Sequence, residues 1–142
     1  TPPGHSGMGT TLSANALALA AMRATLERVM TPEAYAHTER LAGQLAAGLQ
    51  TSVSKHALPW HVVRVGARVE FICAPGPLRN GTEAEAAHAP ALERAMHLAL
   101  LNRGCLIAPF HNMMLVRPAT HEAQVEQLVA AFDAAAALLA NG

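Results

Sequence analysis

The sequence predicts an α+β domain in which helices cover one face of a small, mostly antiparallel sheet. Three observations support this prediction: two helical patterns arrive in tandem near the start, β-rich runs occur in pairs, and Ala-rich helical patterns separate and follow those runs. The predicted order is helix, helix, strand, strand, helix, strand, strand, helix. The chain shows no internal repeat and no internal linker.

The first two helices follow a loop rich in proline and glycine. The first helix is predicted to begin near Ser13, and apolar residues recur at close to helical spacing as far as Met30. Thr31 then offers an N-cap with Pro32 at the first helical position, so a second helix follows at once. This second helix is expected to run to about Thr51.

The middle of the chain predicts a strand pair and then a long helix. Residues 60–66 and 67–73 are rich in β-branched and aromatic types and are divided by Gly66. Residues 74–81 consist of turn-forming types, and the Ala-rich residues 83–102 predict the third helix.

Two short strands and a final helix complete the prediction. The apolar runs at residues 105–107 and 113–116 lie on either side of a turn and are predicted to be strands. Thr120 is expected to cap the last helix, over residues 121–139.

Composition excludes several classes of protein. The 142 residues are 51% hydrophobic and 14% charged, against a typical charged share of about 25%, so one compact domain is expected and a disordered tail is not. Ten Lys and Arg balance ten Asp and Glu, and Lys55 is the sole lysine. Because no basic stripe exists to neutralise phosphates, nucleic-acid binding is not expected.

The apolar segments predict a soluble chain, and the two cysteines predict a location in the cytoplasm. No apolar stretch is expected to reach the roughly 18 residues of a membrane span, because Asn15, Arg23 and Asp133 interrupt the richest segments. The order of charge around the first helix is wrong for a signal peptide. Cys73 and Cys105 lie far apart in apolar runs, which is typical of buried, reduced thiols.

Neither a metal site nor a catalytic residue is predicted from spacing. The eight histidines form no HxH or HExxH pattern, and neither cysteine has a partner two residues away. A Ser/His/Asp triad could be drawn from Ser6 or Ser13, a histidine and Asp133. However, the surroundings of Asp133 indicate a solvated helix face.

The most informative local pattern is the glycine-rich run at residues 4–13, which leads into a helix N-terminus. Glycines let the backbone approach closely, and the free N–H groups and hydroxyls at a helix start suit an anion. The run lacks the P-loop lysine, and Leu12 occupies the place of the third glycine in a GxGxxG pattern. An ordinary capped helix after a loop explains the same residues and remains open.

Four segments resemble one family, the class III (fold type I) pyridoxal-phosphate aminotransferases, especially the glutamate-1-semialdehyde aminomutases and their relatives. Residues 9–21 are similar to the family's G-T-[L/F]-S-G-N-P-L-A-M-A-A stretch, and residues 65–71 to its R-x-G-S-x-F strand pair. Residues 100–104 resemble its L-L-x-R-G-V turn, and residues 119–122 with the last helix resemble its A-H-T-E terminus. The resemblance covers almost the whole chain, in order.

This resemblance implies the C-terminal part of such a subunit. Residues 1–30 would be the loop and helix that end the cofactor-binding large domain, and residues 31–142 would be the C-terminal small domain. The start at Thr1, with no initiator Met and in a Pro/Gly-rich run, is what a piece of a longer polypeptide would show.

The resemblance also implies the cofactor contacts. Thr11 matches the threonine that contacts the pyridoxal phosphate of the neighbouring subunit in the family's homodimer, with the backbone of Thr10 beside it. Ser13 and Asn15 match positions that shape the turn. Ala14 and Ala16 replace the usual glycine and proline.

The family's Schiff-base lysine and its pyridine-pairing aspartate would lie upstream, and no residue here matches them. Lys55 stands in a polar connector with nothing to lower its pKa. We therefore expect a chain that is not catalytic alone, has no catalytic residue of its own, and belongs to an enzyme acting on a small amino-acid or amino-aldehyde substrate.

Substrate-binding residues are harder to identify. Where many class III enzymes carry a carboxylate-binding arginine, this chain has Met113 and Met114. Arg117 is the nearest substrate-binding candidate, because an arginine side chain can bind a carboxylate with two parallel hydrogen bonds. A lone arginine at a strand end is, however, more often a surface charge. His111 and Asn112 could face a substrate entrance or form an ordinary turn.

Two other functions remain open beside the enzyme-fragment hypothesis. A stand-alone domain could bind a phosphorylated small molecule through the helix-start loop. Alternatively, the chain could be a structural dimerisation module, in which case Thr11→Ala would have no effect.

Overall fold

The computed structural model describes residues 15–108 and 112–140. Within these ranges, five helices and three strands confirm the α+β prediction. The helices are α1 (Ala16–Arg28), α2 (Pro32–Lys55), α3 (Gly81–Ala86), α4 (Pro90–Leu101) and α5 (Glu122–Ala140). The strands are β1 (His61–Val65), β2 (Arg68–Ile72) and β3 (Met113–Leu115).

The predicted start of α2 is confirmed. Thr31 Oγ1 accepts a hydrogen bond from the Ala34 N–H at 3.3 Å, and Pro32 occupies the first helical position. The helix continues to Lys55, one turn beyond the predicted end. Leu41 and Leu49 are among the residues that form its fully buried stripe.

The described sheet is antiparallel with the order β1-β2-β3. Gly66 forms the β1–β2 turn with a φ of 56°, a left-handed conformation that glycine adopts without steric cost. Val69 pairs with Met114 in register, and both side chains are buried on the inner face. The neighbouring Glu70 points to the other face, as the two-residue period of a strand requires.

Helices α2 and α5 pack closely on this inner face. The Arg40–Glu122 ion pair lies near the start of both helices, and the Lys55–Asp133 ion pair lies further along both. The two helices therefore run in the same direction. The approach is tight: a Cβ on Gly48 would lie 2.6 Å from Val129 Cγ2.

Aromatic rings fill the centre of the core between α5 and the sheet. The centroids of Phe71 and Phe132 lie 5.0 Å apart in an edge-to-face arrangement, and Trp60 contacts both rings. The other large core residues come from α2, α4 and the sheet: Leu41, Leu45, Leu49, Val53, Val69, Met96 and Leu100.

The predicted third helix is instead two helices, α3 and α4. Pro90 begins α4, and a proline restricts the residue before it to non-helical conformations. Ala89 accordingly has φ −127° and ψ 71°. The Ala-rich composition concealed this break.

Residues 105–107 do not form the predicted strand. Cys105 and Ile107 are buried, yet among the described residues the link to β3 is a single bond from Ala108 N–H to Met113 O at 3.3 Å. The segment is anchored by its buried side chains and not by a strand ladder.

The expectation that no apolar stretch reaches the length of a membrane span is wrong for helix α5. By length and composition it could cross a membrane, although Asp133 lies within it. A core helix needs the same composition, and Phe132 and Ala136 of α5 are fully buried. The apolar character of α5 therefore has a structural explanation within this fold.

Helix α1 is the exception to this packing. No residue of α1 is buried, and its large apolar side chains face solvent. Leu17 is 82% exposed, Met22 54% and Leu26 59%. The described chain thus contains a helix whose apolar surface is uncovered.

Candidate functional site

The predicted cofactor-phosphate residues, Thr10 and Thr11, lie outside the described residues, as does Ser13. Their role as an anion site stays a prediction. The described chain begins at Asn15, whose side-chain oxygen accepts the Ala18 N–H at 2.9 Å. Asn15 therefore caps α1 directly after the glycine-rich run.

Arg117 lies in a closed turn just after β3. Its N–H donates to Thr120 Oγ1 at 3.2 Å, and the Thr120 N–H donates to the Arg117 carbonyl at 2.9 Å. The preceding residue, Val116, is held to the sheet by a 3.0 Å bond from its N–H to Ala67 O. The backbone of Arg117 is thus fixed, while its side chain is exposed.

This turn accounts for the incorrect prediction about Thr120. Its hydroxyl accepts the Arg117 N–H and does not cap the last helix, which begins at Glu122. The His121 N–H donates instead to Gln124 Oε1 at 2.9 Å, within the first turn of α5.

Two contacts attach the turn to α2. His37 Nε2 lies 2.9 Å from the Thr120 carbonyl oxygen, and because a carbonyl only accepts, this nitrogen carries the proton. One turn further along α2, Arg40 forms an ion pair with Glu122. The start of α5 and the turn before it are therefore held against α2.

Two grooves flank Arg117. The first, of about 350 Å³, lies between the β3 edge and α5, with Leu106 and Leu128 in its lining. The second, of about 290 Å³, lies between α2, the β1–β2 turn and the segment after β3. We call the second one the Tyr35 groove. It is lined by Met30, Ala34, Tyr35, Thr38, Glu39, Gly66, Ala67, Leu115, Val116, Arg117 and Pro118.

Asn112 does not face outward. Asn112 is buried, with 4% of its surface exposed. Its φ of 44° is a left-handed conformation that asparagine tolerates. Asn112 borders a small cavity together with Glu70, His88 and Glu93. His111 lies outside the described residues.

Met113 and Met114 occupy the positions where the resemblance would place an arginine. Met114 is buried on the inner face of the sheet, and Met113 is partly buried. Arg117 is therefore the arginine that this end of β3 presents to solvent.

Asp133 lies partly exposed on its helix face, where it is ion-paired with two groups at the end of α2. Lys55 Nζ lies 2.7 Å from its Oδ2, and His56 Nε2 lies 2.9 Å from its Oδ1. Hydrogen bonds from Lys55, and then from His56, hold the pKa of Asp133 below its usual value. The Asp–His pair forms, but the nearby hydroxyls of Ser52 and Ser54 donate to carbonyls one turn earlier in α2. These two serines therefore do not complete a triad with His56 and Asp133, and Ser6 and Ser13 lie outside the described residues.

The cysteines are free thiols with little thiolate character. Burial, followed by the charge of Glu93, raises the pKa of Cys73 to about 12. Burial also raises the pKa of Cys105. No group of three His, Cys, Asp or Glu side chains suited to a metal ion occurs in residues 15–108 and 112–140.

Sequence reasoning missed the contact between His37 and Thr120, and it gave Thr120 a different role. A threonine followed by a helical pattern is a standard capping signal, so the sequence carried no hint of the bond to Arg117. His37 and Thr120 are 83 residues apart in sequence, and local spacing carries no signal of such a contact.

Comparisons with known proteins agree on one family. No family profile matches the chain. It is 31% identical over 135 residues to glutamate-1-semialdehyde 2,1-aminomutase 1 of Bacillus cereus, across 94% of this chain and 31% of that protein. The structure of a glutamate-1-semialdehyde aminomutase from Pseudomonas aeruginosa, also solved in complex with PMP, matches with a TM-score of 0.86 and 47% identity. That match covers 95% of this chain and 31% of the other.

A more distant structure supports the fold alone. The β-phenylalanine aminotransferase of Variovorax paradoxus has a TM-score of 0.77 at 21% identity, over 94% of this chain. The chain spans about a third of the length of the relatives that it matches.

Proposed function

Because this chain belongs to the class III pyridoxal-phosphate-dependent aminotransferase family as a C-terminal portion, we propose that it is part of an amino-group-transferring enzyme, an aminotransferase or glutamate-1-semialdehyde-type aminomutase. The observation that carries this proposal is the match of 95% of the chain at 47% identity to about a third of a solved aminomutase. The chain alone is proposed to be inactive, because the reactive lysine would lie in the part of the enzyme that this chain does not span.

The exposed state of α1 supports the proposed division into two regions. In residues 1–30, the described helix α1 has no buried residue, whereas the hydrophobic core of the described residues lies within residues 31–142. An isolated helix of this length is only marginally stable in water. We propose that the large domain covers α1 in the complete subunit.

The described residues do not by themselves form a site for pyridoxal phosphate. This cofactor reacts through a lysine that must lose its proton, and Lys55 is instead exposed and ion-paired to Asp133. We therefore assign no reaction step to this chain. Its proposed contribution is Thr11, with the backbone of Thr10, at the cofactor phosphate of the neighbouring subunit in a homodimer.

Arg117 is the proposed contact for the carboxylate of a small amino-acid or amino-aldehyde substrate. It is exposed on a backbone held by Thr120 and His37, and an arginine can bind a carboxylate with two parallel hydrogen bonds. The free thiols of Cys73 and Cys105 support a cytoplasmic location, where thiols stay reduced.

The first experiment is to read the coding DNA upstream of Thr1 and to express the continuous polypeptide beside the present chain. We expect the long form to retain pyridoxal phosphate through dialysis, measured by its absorbance, and the present chain to retain none. Thr11→Ala in the long form should weaken cofactor retention about ten- to a hundredfold, since hydrogen bonds to charged groups contribute roughly 1.5–3 kcal/mol. Thr25→Ala in α1 is the matched control, because within the described residues its hydroxyl donates to the Ala21 carbonyl, one turn earlier in the same helix.

A start codon directly before Thr1, or amino transfer by the present chain alone, would contradict the proposal. In the first case the stand-alone phosphate-binding hypothesis would take its place.

The exposed apolar residues of α1 also favour the alternative of a dimerisation module. Sedimentation tests whether α1 contacts the large domain or a second subunit. Replacing Leu17, Met22 and Leu26 by Gln should reduce self-association and dye binding of the isolated chain, because those residues are exposed. If this triple variant also abolished dimerisation of the long form without affecting its cofactor, α1 would be a subunit contact and not a large-domain contact.

A further inference from the structure

The start of α3 contains a chemically reactive pair, Asn80 followed by Gly81. In an Asn-Gly pair the backbone nitrogen of the glycine can attack the side-chain amide carbon of the asparagine, because glycine has no side chain to obstruct the approach. Both residues are exposed, and a Cβ built on Gly81 would meet no atom within 4 Å. The surroundings therefore place no steric obstacle at this pair.

Three hydrogen bonds hold Asn80 in place. Its Oδ1 accepts the Glu83 N–H at 2.9 Å, and its Nδ2 donates to Glu83 Oε1 at 3.3 Å. Its backbone carbonyl accepts the Ala84 N–H at 3.1 Å. Because this carbonyl and the Gly81 nitrogen belong to one planar peptide unit, the bonds fix both the side chain and the nitrogen that would attack it.

The geometry in which Asn80 is held is not the reactive one. Its backbone is extended, with φ −157° and ψ 171°. At this ψ the Gly81 nitrogen is staggered relative to the Asn80 Cβ, whereas closure of a five-membered ring needs the two nearly eclipsed. The required rotation about the Cα–C bond turns the Asn80 carbonyl away from the Ala84 N–H. The pair can therefore react only after the start of α3 opens.

Glu83, which contacts the Asn80 amide, is itself held by Arg79. The Arg79 N–H donates to Glu83 Oε2 at 2.8 Å, and Arg79 Nε donates to Glu83 Oε1 at 3.0 Å. These hydrogen bonds hold the pKa of Glu83 below its usual value. The carboxylate therefore stays an ionised acceptor beside Asn80 Nδ2 near neutral pH.

We propose that Asn80 is a site of spontaneous deamidation that the folded start of α3 keeps closed, with Glu83 as the residue that positions Asn80. On opening, the Gly81 nitrogen loses its proton and bonds to Asn80 Cγ, and the Cγ–Nδ2 bond breaks to release ammonia. Water then hydrolyses the five-membered imide and leaves aspartate or isoaspartate. The fraction of molecules in which the start of α3 is open sets the rate.

The product cannot restore the closed state. Loss of Nδ2 replaces the donor to Glu83 Oε1 by a second carboxylate oxygen, and like charges this close repel. An isoaspartate also adds a methylene to the main chain at Asn80. Opening of α3 is thus recorded as a permanent change of charge, and this inference does not rest on the proposed amino-group transfer.

Incubation of the intact chain in mildly alkaline buffer, with and without urea, tests the site. Tryptic peptides followed by mass spectrometry give the rate at which Asn80 is converted. Without urea we expect this rate to be at least about tenfold lower than in urea. Equal rates in the two buffers would show that α3 does not protect Asn80, and no conversion in urea would show that Asn80 is not a reactive site. Either result overturns the proposal.

Substitutions test the two residues that flank the reaction. Glu83→Ala should raise the Asn80 rate in native buffer about fivefold, the size expected for the loss of one capping contact. Glu85→Ala is the matched control, because Glu85 is exposed on the same helix and no bond between its side chain and Asn80 occurs among the described residues. Gly81→Ala should slow the reaction in urea, because its Cβ obstructs the attack.

Two further measurements separate positioning from a general loss of stability. The second Asn-Gly pair, Asn141 and Gly142, lies outside the described residues and serves as an internal reference, whose rate should be the same in every variant. Glu83→Gln should restore most of the protection, since its amide oxygen can still accept from Asn80 Nδ2. If Glu83→Ala left the Asn80 rate unchanged, or Glu83→Gln restored nothing, the positioning role of Glu83 would be wrong.

Discussion

Helices α1 and α5 have similar Ala- and Leu-rich compositions but opposite environments. No residue of α1 is buried, whereas α5 buries Phe132 and Ala136 completely. Composition predicted a helix in both places, since alanine and leucine are strong helix formers. The difference shows that the apolar surface of α5 is matched by α2 and the sheet, whereas that of α1 is matched by nothing in the described chain.

The largest contrast should come from truncating one apolar side chain in each helix. Phe132→Ala removes a fully buried ring that packs against Phe71 and Trp60, so it should reduce the free energy of unfolding by about 3–5 kcal/mol. Leu26→Ala in α1 should change it by less than roughly 0.5 kcal/mol, because Leu26 is exposed. Urea denaturation measures both.

A large loss of stability in Leu26→Ala would mean that α1 packs on the isolated domain after all. In the longer polypeptide the same substitution should become destabilising, which would sharpen the contrast between the two helices.

Two glycines of α2 test how closely α5 is packed. Gly48→Ala would bring a Cβ to 2.6 Å from Val129 Cγ2, so the Val129 side chain or the helices would have to shift, at a cost of about 1–3 kcal/mol. Gly43→Ala meets no atom within 4 Å and should stabilise the helix by roughly 0.5–1 kcal/mol. Thermal unfolding of the two variants gives the comparison. Equal melting temperatures would show that the α2–α5 contact is loose.

A smaller effect concerns the ion pairs between the end of α2 and the middle of α5. The pKa of Asp133 is held below its ordinary value of 3.8 by Lys55 and His56. A depressed carboxyl pKa stabilises the folded state above the unfolded pKa, and this contribution is lost as the pH falls through the lower, folded pKa. Unfolding free energies measured between neutral pH and pH of about 2 should therefore decline less steeply in Asp133→Asn. Identical slopes in the two proteins would show that the pairing contributes nothing to stability.

Local patterns were predicted well where the chemistry is local. Thr31 and Pro32 start α2 as predicted. The Thr31 hydroxyl accepts the Ala34 N–H, and Pro32 has no N–H that would need a partner at the helix start. The β1–β2 hairpin was found because Gly66 supplies the required left-handed turn. The fold class and the family resemblance followed from such local signals along the chain.

The errors occurred where a local pattern permits two solutions. A threonine at position 120 could cap a helix or close a turn. In the structure its hydroxyl accepts the Arg117 N–H and closes the turn. Residues 105–107 are apolar enough for a strand, but burial of Cys105 and Ile107 satisfied them without one. Short apolar runs do not distinguish these cases. Pro90 is a helix-start signal in the sequence, but the alanines around it favoured one continuous helix.

By itself the sequence determined the helix and hairpin signals, the single lysine, the absence of a spaced metal motif and the likeness to one family. Only the tertiary structure decided that α1 is uncovered, that Asp133 is paired with Lys55 and His56, and that Arg117 and Glu39 border one groove. The physical reason is distance along the chain. Capping and turn chemistry act within a few residues, whereas Arg117 and Glu39 meet at one groove because α2, the hairpin and β3 pack together.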